Sequence, residues 1–129
     1  MRFLIPMLIV GTGGALGSVL RYSLSLMAQR YSVTFPHGTL WANLLGCLVI
    51  GIVVTLATAT ESLTPSMRLF LATGICGGFT TMSSFIYELA QFVKDHEYFY
   101  AGTYFSLTLV GCVAMFGLGV WLVQWALRS

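Results

Sequence analysis

Charged residues are scarce in this sequence. Only 8% of its 129 residues are Asp, Glu, Lys or Arg, whereas 57% are hydrophobic, and the mean hydropathy is +0.88. Soluble domains carry about 25% charged residues, so this composition excludes a soluble globular protein. The formal net charge of +2 is too small and too scattered for a nucleic-acid-binding surface, and we expect no nucleic-acid partner.

The chain also lacks the residue groupings of common structural and catalytic sites. Its three cysteines, Cys47, Cys76 and Cys112, all fall within apolar stretches. Their odd number argues against a disulfide framework, and their spacing fits no metal motif, so we interpret them as buried packing residues. Because no nucleophile–base pair is apparent either, the sequence does not predict an enzyme.

Long apolar runs are what the chain has in abundance. A helix that spans a bilayer needs about 20 mostly apolar residues, and four such runs fit: Phe3 to Met27, Gly38 to Ala59, Met67 to Val93 and Tyr98 to Ala126. Arg2 before the first run imitates a signal peptide, but three further runs follow, so we interpret the first as a retained helix. We therefore expect residues 1–129 to form a single all-α domain of four transmembrane helices.

The third run contains the most unusual stretch, GICGGFTTMSSF, from Gly74 to Phe85. Adjacent glycines destabilise a helix by about 1 kcal/mol each relative to alanine, and broken helices at membrane depth are typical of ion and substrate sites. The Gly74–Gly78 pair alone would also fit a face for helix packing. The hydroxyl side chains that follow favour an ion site, with the helix broken near its middle: Thr80, Thr81, Ser83 and Ser84.

Polar side chains recur at helical spacing in the second and fourth runs. Thr39 and Asn43 are four residues apart and share a helix face. An intramembrane Asn needs a partner, which leaves helix–helix contact and donation to an anion both open. The fourth run has a polar stripe on one face, at Tyr104, Thr108 and Cys112.

Two charged residues within the runs each leave two interpretations open. Arg21 fits an anchor that snorkels to the membrane surface, or a cation at the mouth of an aqueous pathway. Glu88 lies toward a membrane end, where a solvated face and a pore rim are equally consistent with the sequence.

The basic residues give no preferred orientation in the membrane. Four spans put Arg2, Arg68 and Arg128 on one side and Arg21, Arg30 and Lys94 on the other. Because an excess of Lys and Arg normally fixes topology, three against three predicts insertion in both orientations. A single copy is too thin to enclose a pathway, so we expect an antiparallel homodimer.

Three motifs, in this order, resemble the small fluoride channels of the Fluc, or CrcB, family. They are GGALGSVLRY (Gly13 to Tyr22), FPHGTLWANLLG (Phe35 to Gly46) and GICGGFTTMSSF, and the resemblance covers essentially the whole chain. It implies a dual-topology homodimer in the bacterial inner membrane, which exports cytoplasmic fluoride passively through two antiparallel pores. It also implies a structural sodium ion at the dimer centre, held by the backbone carbonyls of Gly77 and Thr80.

The resemblance assigns roles to several residues already identified. It implies that Asn43 is the pore asparagine, that Arg21 lies in the vestibule, and that positions 82 and 85 hold the two pore phenylalanines. Together with the polar residues above, the expected fluoride pathway comprises Thr39, Asn43, Thr81, Met82, Ser83, Ser84, Phe85, Glu88, Tyr104, Thr108, Cys112 and Arg21.

This chain departs from the family pattern at two positions, and two other functions remain alternatives. Met82 replaces a usual phenylalanine, and Cys112 replaces a usual hydroxyl. A small dual-topology multidrug exchanger would need a membrane-embedded acid, normally in the first helix, where this chain has only Arg21. A non-transporting membrane assembly subunit would leave the shared polar faces without a purpose.

Overall fold

The computed structural model describes residues 3–31, 34–60 and 62–129, and every regular element in these ranges is helical. Four helices are long and apolar enough to cross a membrane: Leu4–Gln29, His37–Ala59, Pro65–Lys94 and Tyr98–Arg128. The prediction of four spanning helices is therefore confirmed, with each end within about two residues of the expected one. Arg2, which entered the charge comparison, lies outside the described residues.

The third helix is not wound uniformly. Its α-helical start, Pro65–Arg68, leads into a π-helical stretch, Leu69–Cys76, and then into a short α-helical turn, Gly77–Phe79. Thr80 and Thr81 are extended, with ψ angles of 155° and 113°, and the α-helix resumes at Met82–Lys94. The interruption that the glycine and hydroxyl residues predict therefore falls on two threonines.

The ends of the third helix follow from simple local chemistry. The Thr64 side chain accepts a hydrogen bond from the Met67 N–H at 3.2 Å, and Pro65 occupies the first turn, which is the expected start signal for a helix. At the other end the chain turns at His96, whose φ is 60°, and the fourth helix begins two residues later, at Tyr98. The third and fourth helices are thereby joined as close neighbours.

The first helix packs against the glycine-rich part of the third. A Cβ added at Gly13 would lie 2.9 Å from the Gly74 Cα, and one added at Gly78 would overlap the Gly14 carbonyl oxygen. Such contacts between backbones require small residues on both helices. The Gly74–Gly78 pair therefore does serve helix packing, and the interruption begins directly beyond this contact.

The second and fourth helices run in the same direction and pack along much of their length. Towards their N-terminal ends, Leu40, Phe85 and Tyr104 form a buried cluster. The Phe85 and Tyr104 ring centroids are 5.1 Å apart. Large apolar side chains remain exposed on all four helices, which leaves an outer surface unsuited to water.

Candidate ion site at the interrupted third helix

The Asn43 side chain forms hydrogen bonds with the interrupted backbone of the third helix. Its Oδ1 accepts a hydrogen bond from the Thr81 N–H at 2.8 Å, and its Nδ2 donates to the Thr81 carbonyl oxygen at 3.2 Å. Extended backbone away from water needs such partners, and one buried amide, 8% exposed, satisfies both groups. Because Nδ2 carries two hydrogens, one N–H remains for another acceptor.

The hydroxyls after the interruption restart the helix. The Thr81 Oγ1 accepts a hydrogen bond from the Ser84 N–H at 3.2 Å and donates to the Ser84 Oγ at 3.1 Å. The Ser83 Oγ lies 3.1 Å from the same Thr81 oxygen. This is a helix N-cap, so the predicted hydroxyl cluster has a structural role as well as any role towards an ion.

The backbone before the restart is only partly hydrogen-bonded. The Thr80 N–H and hydroxyl both donate to the Cys76 carbonyl oxygen, at 3.0 and 2.9 Å. Among the side-chain bonds and the backbone bonds outside the helices that the described residues form, none goes to the carbonyl oxygens of Gly77 or Thr80. Unpaired carbonyl oxygens are the ligands that hard cations such as sodium prefer, so these two residues fit the cation that the family resemblance implies.

Arg21 reaches the same interruption from the first helix. Its Nε donates to the Gly78 carbonyl oxygen at 3.1 Å, and the Ser18 hydroxyl donates to that oxygen at 3.5 Å. Gly78 lies in the short helical turn directly before the interruption at Thr80 and Thr81. Arg21 is therefore a half-buried partner of the broken helix. Sequence reasoning missed Ser18, although its spacing of three residues from Arg21 places both on one helix face.

Glu88 joins the second, third and fourth helices. Its two carboxyl oxygens accept hydrogen bonds from the Thr39 hydroxyl at 2.7 Å and from the Tyr104 hydroxyl at 2.6 Å. Tyr104 is fully buried, and Thr39 and Glu88 border a cavity of about 330 Å³ together with His37 and Gln91. Glu88 is half-buried and thus lies between the buried core and this cavity.

Thr108 is the unusual member of the polar stripe on the fourth helix. Its hydroxyl is buried, with the residue 3% exposed, and has no hydrogen-bond partner among the residues that the structure describes. A buried polar group without a partner costs about 1–3 kcal/mol, which makes this oxygen a candidate donor to a bound ion. Thr108, Asn43 and Cys112 all border a cavity of about 370 Å³ beside the interruption.

The two positions assigned to pore aromatics differ in their surroundings. Phe85 is 1% exposed and packs against the Tyr104 and Phe105 rings, at centroid distances of 5.1 and 6.3 Å. Met82 is 64% exposed and borders the 370 Å³ cavity, as do Gly77 and Thr80. Half of the residues predicted for the fluoride pathway lie outside the linings of both cavities: Arg21, Thr81, Ser83, Ser84, Phe85 and Tyr104.

Comparison with known proteins gives a consistent result. Residues 8–120 match the family described as CrcB-like protein, Camphor Resistance. A protein of Chlorobium chlorochromatii named fluoride-specific ion channel FluC is 43% identical over 118 residues, which cover 92% of each chain. Proteins with the same name from Anaeromyxobacter dehalogenans and Leptospira interrogans are 41% and 38% identical, over 92% and 96% of this chain and 95% and 98% of their own.

Proposed function

The chain belongs to the CrcB family, and on this basis we propose that it is a passive, fluoride-selective ion channel of a bacterial inner membrane. Such a protein moves an ion down its gradient and catalyses no reaction, so it is not an enzyme. The four apolar helices support the membrane location, and the names of its bacterial relatives support the ion.

The observation that carries the proposal is the pair of donors left without partners beside the broken helix. In the described part of the chain the Thr108 hydroxyl has no partner, and one N–H of the Asn43 amide is unaccounted for once Thr81 is satisfied. Both residues border the same cavity. Fluoride is small and strongly hydrated, so a dry path must replace its water with hydrogen-bond donors.

The polar residues lie at two levels along the second and fourth helices. Thr39 and Tyr104 meet at Glu88, and one helical turn further, about 6 Å along the axis, are Asn43 and Thr108. Thr39 and Glu88 of the first level border the 330 Å³ cavity, and Asn43 and Thr108 of the second border the 370 Å³ cavity. We infer that an anion passes from one level to the other beside the buried ring of Phe85, whose edge is electropositive.

A sodium ion at the Gly77 and Thr80 carbonyls would complement this path electrostatically. Gly77 is exposed and has open space where a Cβ would be, so a second copy of the chain has room to contribute the same carbonyls. When bound, the ion supplies a fixed positive charge that offsets part of the cost of dehydrating an anion. Arg21 adds positive charge on the other side of the interruption.

We further propose that the channel is an antiparallel homodimer with two pores. The balanced Lys and Arg distribution supports insertion in both orientations. Met82 and Gly77 are exposed beside the cavity, so a second copy would complete the wall of the pathway. Labelling a C-terminal tag in intact vesicles tests the topology: about half the tags should be accessible, whereas all or none would exclude dual topology.

Ion efflux from liposomes that contain the purified protein tests the proposed function. Fluoride should leave rapidly and chloride should be retained, with external electrodes for each anion as the readout. Efflux should need no proton gradient, and it should fall after prolonged removal of sodium. Protein-free liposomes give the background leak.

Other outcomes would identify a different function. Cation efflux coupled to protons would point to a multidrug exchanger, and equal fluoride and chloride efflux would exclude selectivity. No efflux from a folded, dimeric preparation would contradict the channel proposal and would leave helix packing as the purpose of the glycines.

A further inference from the structure

Four sulfur-containing side chains border the 370 Å³ cavity: Cys47, Cys76, Met82 and Cys112. They come from three different helices. The second and fourth helices pack in a register that sets Gly111 against Leu44 and Gly51 against Phe116, so Cys47 and Cys112 lie at the same level beside this cavity. The helical fold thus brings together thiols that are widely separated along the chain, which is why their spacing in the sequence predicts no shared site.

The thiols can act as metal ligands, but their small number limits which metal ions they could bind. All three cysteines are free; Cys47 and Cys112 are half-buried, and Cys76 is buried. Among the described residues, no group of three or more His, Cys, Asp or Glu side chains is close enough to hold a metal ion. This excludes a tetrahedral zinc site but leaves the pair formed by Cys47 and Cys112.

We propose that Cys47 and Cys112 form a two-sulfur site for a soft monovalent metal ion, Cu⁺ or Ag⁺. Thiol and thioether sulfur are the ligands that soft ions prefer over the hydroxyls and amides nearby, and closed-shell ions of this kind accept linear coordination by two ligands. The Met82 thioether borders the same cavity and adds a weaker sulfur donor on its exposed side.

Binding is a simple exchange of a proton for the metal. The S–H bond of one thiol breaks, its proton leaves to solvent, and the resulting thiolate binds the metal ion, while the second thiol donates a sulfur lone pair. The oxidation state of the metal does not change. The product is electrically neutral, which suits an apolar site because a net charge there is costly.

The bound ion would obstruct the proposed fluoride path, and this consequence rests on the proposed function. The metal would occupy the cavity that Asn43 and Thr108 also border. It would also fix Cys112, which continues the stripe of Thr108 along the fourth helix. Soft metal ions would therefore inhibit this channel.

Silver is the probe that tests the site, because it needs no reductant and its fluoride salt is soluble. Purified dimer is treated with silver nitrate in a buffer free of chloride and thiols, passed through gel filtration, and analysed for bound silver. We expect about one Ag⁺ per chain for the wild type and for Cys76→Ser, and at least tenfold weaker binding for Cys47→Ser and for Cys112→Ser. Serine keeps the size of the side chain but removes the soft donor.

The result that would overturn the site is silver binding that is absent from the wild type or unchanged in Cys47→Ser or Cys112→Ser. Loss of silver binding in Cys76→Ser would show that Cys76 is a ligand. That result would overturn the assignment of the metal to Cys47 and Cys112 as well. This measurement does not depend on fluoride transport, so it decides the site even if the protein conducts nothing.

Fluoride efflux tests the obstruction separately. One equivalent of Ag⁺ should lower wild-type efflux at least tenfold, while Cys47→Ser should keep most of its own rate at the same silver concentration. Silver that binds at the pair without slowing efflux would contradict the obstruction.

Discussion

The two ends of the paired second and fourth helices contain similar residues but use them differently. Thr55 and Thr108 are both buried threonines, 8% and 3% exposed. The Thr55 hydroxyl donates to the Gly51 carbonyl oxygen of its own helix at 2.7 Å. The Thr108 hydroxyl has no partner within residues 3–31, 34–60 and 62–129, although a carbonyl of its own helix lies one turn away in any α-helix.

Packing between the helices differs in the same way. At the Thr55 end the backbones touch: a Cβ at Gly51 would overlap the Phe116 carbonyl oxygen, and one at Gly119 would lie 3.0 Å from the Ile52 nitrogen. At the other end Asn43 and Thr108 both border the 370 Å³ cavity beside the interrupted third helix. In a membrane helix, the bonding partner of a polar side chain therefore distinguishes a structural residue from one available to an ion.

The largest effect is expected for Asn43→Ala, which removes the side chain that satisfies both backbone groups of Thr81. Leaving them unsatisfied costs about 1–3 kcal/mol and lets the interruption shift. We expect fluoride efflux to fall by roughly two orders of magnitude and the melting temperature of the purified protein to drop. Thr58→Ala is the control, because that exposed hydroxyl bonds only to its own helix. An Asn43→Ala channel with normal efflux would remove the amide from the pathway.

A smaller effect is expected for Tyr104→Phe, which removes one of the two hydroxyl groups that donate hydrogen bonds to Glu88. A hydrogen bond to a carboxylate contributes about 1.5–3 kcal/mol, so efflux should fall about tenfold. Glu88→Gln should have a similar effect, because an amide nitrogen cannot accept from a hydroxyl.

The double variant Tyr104→Phe with Glu88→Gln measures the coupling within this cluster. Its loss of efflux should be clearly less than the product of the two single losses, because both substitutions disrupt one shared contact. Independent effects would mean that Tyr104 and Glu88 act at separate steps.

The smallest effect is expected for Met82→Phe. Met82 is 64% exposed beside the cavity, and its thioether has no electropositive edge to offer an anion. A phenyl ring there should raise fluoride efflux severalfold without changing stability, as measured by initial rates and thermal melting. Unchanged efflux would refute the idea that methionine weakens a binding position.

Much of the fold could be predicted from the sequence because hydrophobicity and glycine act locally. The lengths of the apolar runs predicted the four helices. The glycine and hydroxyl residues predicted the position of the interruption to within a few residues of Thr80. The polar faces of Thr39 with Asn43, and of Tyr104 with Thr108, followed from helical spacing. The π-helical winding at Leu69–Cys76 has no comparable signal in the sequence.

The contacts between helices could not be predicted, because spacing within a helix says nothing about what its face meets. The two hydroxyl groups that donate to Glu88 come from different helices. The partner of Arg21 is a backbone carbonyl of the third helix. The Thr55 hydroxyl bonds to its own helix, whereas the Thr108 hydroxyl has no partner among the described residues. This difference depends on the rotamer and the surroundings of each side chain, which the local sequence does not encode.

The most direct measurement compares fluoride efflux through Thr108→Val and Thr55→Val. Both substitutions replace a buried hydroxyl with a methyl group of similar size. If the unpaired hydroxyl is a donor in the anion path, Thr108→Val will lose about tenfold in efflux at unchanged or higher thermal stability, because the cost of an unpaired buried group is removed. Thr55→Val will conduct like the wild type. Equal efflux through the two variants would contradict the assignment of Thr108 to the fluoride path.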